Sequence, residues 1–370
     1  MSPLKPQKNG VINISESIKE NGAGKASAPK KPRIVWIDIL RGIMMFFVVY
    51  GHCTVWKGME KYIFTFHMPA FFFISGLSFS FNKETDPLKY LLKKLRTLMV
   101  PYVLLNLYVT PLYYVNVRTG ANPDMPFYKL LLGMLVSNVD SELHMPSDTT
   151  WFIPCLFLTD MLFFAFRKLI KSDAQLVGAV LLTTCTMYSL GILTAKFKGG
   201  GPWHWQVTFT AVIFYMAGYF FMRNIDPIKK FVTENKLRIL LICGVLFADG
   251  YMIHNLNRRV TMVSDRYHNT LFFYIAAFST SLAWVFLVML LSESGFFVKL
   301  MTPINFIGKN TLAYIALHVP IKKLLIHYTV LGKLGESYRL PMTLLIYFGL
   351  IPFAWLISKL LPGRSAKQKQ

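Results

Sequence analysis

Long uninterrupted blocks of apolar residues constrain this chain more than anything else in it. They run for roughly 17–22 residues, enough to cross ~30 Å of hydrocarbon at about 1.5 Å rise per residue. They lack the one-sided pattern of helices that pack against a core while facing water. With 54% apolar and 15% aromatic side chains, a soluble fold leaves too much of this surface wet, and lipid is the solvent that suits it. The expected fold class is all-α: a polytopic membrane protein of about ten transmembrane helices.

The spans fall near 35–55, 62–81, 98–116, 151–167, 176–194, 207–222, 237–254, 271–291, 304–321 and 341–361. Lys322 and Lys323 interrupt the ninth, so the 322–331 stretch is expected in the interface. The chain divides into a basic, disordered cytoplasmic tail (1–33), a transmembrane domain (34–361) and a short cytoplasmic tail (362–370). The first tail is polar and has no apolar h-region, so it does not read as a cleaved signal peptide.

The net charge of +22 invites a nucleic-acid reading. The basic residues, however, sit mainly in short loops between apolar blocks, where they orient a chain in a membrane and give no nucleic-acid surface. Alternate loops carry about 26 basic residues against about 13 on the other side, which puts both termini inside. Cys53, Cys155, Cys185 and Cys243 lie in or beside apolar blocks with no paired spacing, and read as core or lipid-facing residues. No ligand cluster suggests a metal.

Ionisable groups inside a membrane span are costly and usually functional. The first span reads Ile34-Val-Trp-Ile-Asp38-Ile-Leu-Arg41-Gly and continues to His52. Asp38 and Arg41, three apart, share a face. Arg41 and His52, eleven apart, are close to a whole number of turns and roughly 16 Å along the axis. An arginine can bind a carboxylate or phosphate at one end of this stripe, and a histidine can act as general base at the other. A buried ion pair with an interfacial histidine is the structural alternative. His67, in Phe66-His-Met-Pro-Ala-Phe-Phe-Phe-Ile-Ser-Gly76, belongs at the depth of His52. It either shares a polar pocket there or satisfies a carbonyl beside Pro69.

The run Asp38-x-x-Arg41-Gly, ten residues, His52, then Phe66-His-Met-Pro to Ser-Gly76, resembles the acyltransferase family 3 membrane proteins. The likeness continues through Lys93-x-x-Arg96 before Val100-Pro101-Tyr102, Trp151-Phe-Ile-Pro154 and Gly308-Lys-Asn310-Thr-Leu to Leu317-His318, covering about 34–360. It implies a membrane O-acyltransferase. Such an enzyme moves an acetyl or other short acyl group from cytoplasmic acetyl-CoA to a hydroxyl of an extracytoplasmic or lipid-linked glycan. No cofactor is held permanently, the partners are acyl-CoA, the saccharide acceptor and the bilayer, and the location is the cell (inner) membrane. Arg41 and His52 take the essential roles, with Asp38 orienting the arginine and His67 in a second rank. Arg96, Lys93 and Lys94 are expected on the CoA phosphates. Lys93 stands where the family has arginine, and so loses bidentate phosphate binding. His318, Trp151 and Asn310 are expected in the acceptor cavity.

Asp160 and Asp249 could line the acceptor cavity or pair with a Lys or Arg on another helix, and structural pairing is the favoured reading. Trp203, His204 and Trp205, with Arg258, Arg259 and Arg266, could face sugars or simply the interface. The rival function is a transporter or exporter of a glycan or acyl-bearing substrate, but no matching broken helices or internal repeat supports it.

Overall fold

The computed structural model describes residues 33–53, 57–81, 85–137, 143–190, 201–329 and 339–361. The chain forms two units, Met1–Ile34 and Val35–Gln370. Only Arg33 and Ile34 of the first are described, and the architecture below is that of the second. Almost the whole of the expected 1–33 tail and all of the 362–370 tail thus lie outside the described residues.

The described residues are helical, and no strand forms among them. The first half holds α1 (Val35–Cys53), α2 (Lys57–Leu77), α3 (Pro87–Lys94), α4 (Val100–Arg118), α5 (Phe127–Val136), α6 (Phe152–Leu169) and α7 (Asp173–Ser189). The next part holds α8 (Trp205–Arg223), α9 (Ile225–Glu234), α10 (Lys236–Leu256), α11 (Thr270–Leu291) and α12 (Gly295–Leu300). The last four are α13 (Thr302–Lys309), α14 (Thr311–Tyr328), α15 (Arg339–Gly349) and α16 (Ile351–Leu360).

Among the described residues, seven helical stretches are long and apolar enough to cross a membrane. They correspond to the expected first, third, fourth, sixth, seventh, eighth and tenth spans. The other three positions are also helical. α2 carries Glu60 and Lys61 in its first turns, α7 has 17 residues, and the ninth region is broken into α13 and α14 at Asn310.

The stretch after Lys322 expected in the interface is helical as far as Tyr328, where α14 ends. Both lysines find partners without leaving the helix. Lys322 Nζ donates to the His52 carbonyl at 2.8 Å, and Lys323 Nζ to Asn122 Oδ1 at 2.6 Å. The third span begins earlier than expected, at Pro87 with Asp86 as its N-cap. It widens into a π-turn at Leu95–Met99 before α4. Pro101 has no N–H to continue the ladder, and the wider turn absorbs that defect.

Two glycine interlocks set the tightest helix crossings. A Cβ on Gly42 would lie 2.2 Å from the Ile304 carbonyl oxygen, and one on Gly308 1.7 Å from that of Asp38. The backbones of α1 and α13 therefore touch. Gly76 and Gly218 do the same for α2 and α8, with Cβ positions 2.0 Å from the Tyr215 and Phe73 carbonyl oxygens. Small residues promote helix contact in lipid because backbone packing must supply what the hydrophobic effect cannot.

Candidate active site

α1, α2 and α14 bring three histidines to one cavity of about 80 Å³. His52 is contributed by the last turn of α1, His67 by the middle of α2 and His318 by α14. Trp151 and Phe152, where a short 3₁₀ turn enters α6, wall the other side. Val48, Phe64, Met68 and Ile315 make the remaining surface mostly apolar. Such a chamber with few polar groups is what a reaction that must exclude water requires.

The ring hydrogen bonds define the available nitrogens. His67 Nδ1 lies 2.6 Å from the Ile63 carbonyl oxygen, and His318 Nδ1 lies 2.7 Å from that of Tyr314. A carbonyl can only accept, so Nδ1 carries the proton in both rings, and a neutral ring leaves Nε2 as a lone-pair acceptor. His318 Nε2 is buried with no hydrogen-bond partner among the described residues. The His52 and His318 ring centroids are 5.1 Å apart. The two readings of His67 are thus compatible, since it lines the cavity and also bonds a carbonyl. That carbonyl belongs to Ile63, four residues back, not to Thr65, which Pro69 deprives of a donor.

His318 repeats the local design of His67. Each is followed two residues later by proline, as His67-Met-Pro69 and His318-Val-Pro320. Each anchors Nδ1 on its own preceding turn. This repeated His-x-Pro was the sequence signal that could have linked them. Lys322, one turn beyond His318, reaches the His52 carbonyl. That carbonyl belongs to the last turn of α1, where helix geometry leaves it without an amide partner.

The loop 257–269 roofs the cavity with Thr261, Met262 and Val263. Arg259 latches it to α2 by a 2.7 Å ion pair with Glu60 and by lying 4.6 Å from the Phe64 ring centre. From below, His204 Nδ1 donates to the Val263 carbonyl at 3.0 Å, while its ring packs 5.1 Å from Trp151. Trp203 donates to the Leu135 carbonyl at 2.6 Å. These aromatic groups serve packing under the roof, and Arg259 serves as its latch.

Asp265 folds beneath this roof, accepting from the Tyr267 hydroxyl at 2.9 Å. Its Oδ2 is buried without a hydrogen-bond partner among the described residues. Burial pushes the carboxyl up to about 7, against the opposing effect of the Tyr267 hydrogen bond. Exposed, it would titrate near the usual value of about 4. Between about pH 4 and 7 the closed loop therefore holds a proton that the open loop has lost. Closure weakens as pH rises through that window and is weakest above 7. Hydrogen exchange of residues 257–269 is expected to be slower at pH 5 than at pH 8, after correction for intrinsic rates. In Asp265→Asn the difference should vanish, and an unchanged pH response in that variant contradicts the assignment.

Asp38 and Arg41 lie at the other end of α1, outside the cavity lining. Arg41 Nη1 donates to Asp38 Oδ1 at 3.2 Å, and Nη2 to Ser78 Oγ at 2.8 Å. Asn310 sits at the α13–α14 junction, donating to the Phe306 carbonyl, and does not line the cavity. Of the three side chains expected there, His318 and Trp151 do. Lys94 is committed to Asp160 at 2.8 Å, which also accepts from Tyr90 and Tyr215. Lys93 and Arg96 are exposed. Asp160 thus has the expected basic partner, whereas Asp249 accepts from the Ser279 hydroxyl. The four cysteines are free, with Cys185 alone exposed.

A family model described as an acyltransferase domain matches residues 34–359. Neither a curated protein nor a solved structure matches the chain.

Proposed function

From the premise that this chain belongs to acyltransferase family 3, we propose that it is an O-acyltransferase whose reaction centre is the three-histidine cavity. It takes an acetyl or other short acyl group from cytoplasmic acetyl-CoA and places it on a hydroxyl of an extracytoplasmic or lipid-linked glycan. The chain crosses the cell membrane ten times with both termini inside. That orientation puts the Arg41 end of α1 at the cytoplasmic side and the histidines toward the outside. The observation that carries the reading is the meeting of His52 with His318, whose buried Nε2 has no hydrogen-bond partner among the described residues.

In this mechanism His52 removes the acceptor hydroxyl proton as oxygen attacks the thioester carbonyl. The new C–O bond forms, the tetrahedral intermediate collapses, and the C–S bond breaks. The thiolate leaves, and the proton passes from imidazole to sulfur. His318, 5.1 Å away ring to ring, relays that proton. Phosphate binding falls to Arg96 and Lys93, since Lys94 is engaged by Asp160. Arg41, held by Asp38 and Ser78, lines the donor's path at the inner end.

Purified protein in liposomes, supplied with radiolabelled acetyl-CoA and a glycan extract, is expected to transfer label to the glycan. Substrate flux without acyl transfer would instead support transport. Lys322 provides a second check, as a positioning residue acting through His52. Lys322→Met is expected to lower kcat by about 10–10²-fold through misplacement of the base. KM for acetyl-CoA should be little changed, and Lys322→Arg should restore much of the rate.

A further inference from the structure

A second pocket, of about 50 Å³, adjoins the histidine cavity. Half of its character is polar: Tyr113, Asn122, His144, Asp148 and Lys323 line it, with Pro320 as an apolar face. Residues adjacent in sequence line the two chambers at two places. Asp148 belongs to this pocket and Thr149 to the cavity, while His318 belongs to the cavity and Val319 to this pocket. Thr149 donates to the Ile315 carbonyl at 2.5 Å, tying the two walls together.

The hydrogen-bond inventory is incomplete in a specific way. Asp148 Oδ1 is buried and accepts nothing from the described residues. Lys323 gives one N–H to Asn122 Oδ1 at 2.6 Å, and an ammonium has three. Asn122 is in turn held by the Tyr113 carbonyl, and the Tyr113 hydroxyl by that of Pro123. The pocket therefore offers one carboxylate acceptor and ammonium donors on a braced frame, with opposite charges that cancel. A buried acceptor left without a donor is costly, so a ligand hydroxyl gains by meeting it.

The geometry points to this pocket as the site of the acceptor sugar: a neutral hexopyranose whose vicinal diol bridges Asp148 and Lys323. One hydroxyl of the diol donates to the carboxylate and the other accepts from the ammonium. The hydroxyl that is acylated is the one carried past the shared wall into the histidine cavity, where it meets His52. Acidic sugars are disfavoured by Asp148, and cationic ones by Lys323. This inference rests on the glycan-acyltransferase reading and deepens it by naming the acceptor class and its subsite.

Saturation-transfer NMR tests it with the full chain in nanodiscs and the methyl pyranosides of glucose, mannose, galactose and rhamnose. At least one is expected to receive saturation from the wild-type protein. Asp148→Asn and Lys323→Met should each cut that signal more than fivefold while keeping the thermal unfolding midpoint. Retained signal in both variants overturns the assignment. Protein that turns over acetyl-CoA but gives no signal with any of the four sugars overturns the subsite and leaves the acyltransferase reading standing. Sugar binding lost in both variants, in protein that releases no acetyl group, supports the subsite and removes the reading.

Discussion

Replacing His52 with alanine is expected to lower acyl transfer by about 10²–10⁴-fold, the usual contribution of a positioned general base. His318→Ala should fall in the same range, because its Nδ1 is already tied to Tyr314 and only Nε2 is available for chemistry. If the two rings handle one proton in sequence, losing both costs little more than losing either, as for groups that act as a unit. Release of labelled acetate or acetylated glycan in liposomes, measured for both single variants and the double variant, checks this. A folded His52→Ala protein with full activity refutes the assigned base. A double variant slower by the product of the single losses refutes the shared proton path. The apolar wall makes water a poor substitute for either imidazole.

The second large effect concerns the helix crossings. Gly308→Leu and Gly76→Leu are expected to abolish recovery of monodisperse, folded protein. Ordinary overpacking costs about 1–3 kcal/mol, because side chains and backbone can shift locally. Here the first added carbon would lie 1.7 Å from the Asp38 carbonyl oxygen or 2.0 Å from that of Tyr215, so whole helices must separate. Gly178 and Gly244 meet nothing within 4 Å and serve as controls. Alanine at either is expected to be neutral or stabilising by up to about 1 kcal/mol, the helix-propensity difference. Size-exclusion profiles and thermal unfolding in detergent separate the outcomes. Normal behaviour of Gly308→Leu contradicts the close contact of α1 and α13. Gly308→Ala puts the same first carbon against the backbone of Asp38, so it is expected to disturb the α1–α13 contact and the Asp38–Arg41 pair with it.

Much of the candidate site was legible along the chain. Asp38 and Arg41 announce themselves by cost, as charges in an apolar helix, and three-residue spacing alone predicts their ion pair. His52 and His67 were matched by expected depth across a short connection, and both line the cavity. Lys322 is legible along the chain only as a charge that interrupts an apolar run. Its ammonium meets a carbonyl at the end of α1, 270 residues earlier in the chain. Asn310, expected in the acceptor cavity, does not line the histidine cavity and donates to the Phe306 carbonyl at the helix break.

Helix and lipid-scale length were determined by local sequence, because apolar block length and backbone hydrogen bonding act within a single segment. Which histidines share a chamber, which loop roofs it and where a polar pocket adjoins it were decided only by tertiary structure. Periodicity names the face a helix presents, but not the helix that will meet it. Here that choice rests on the glycine contacts at 42, 76, 218 and 308, where backbones approach more closely than any side chain permits.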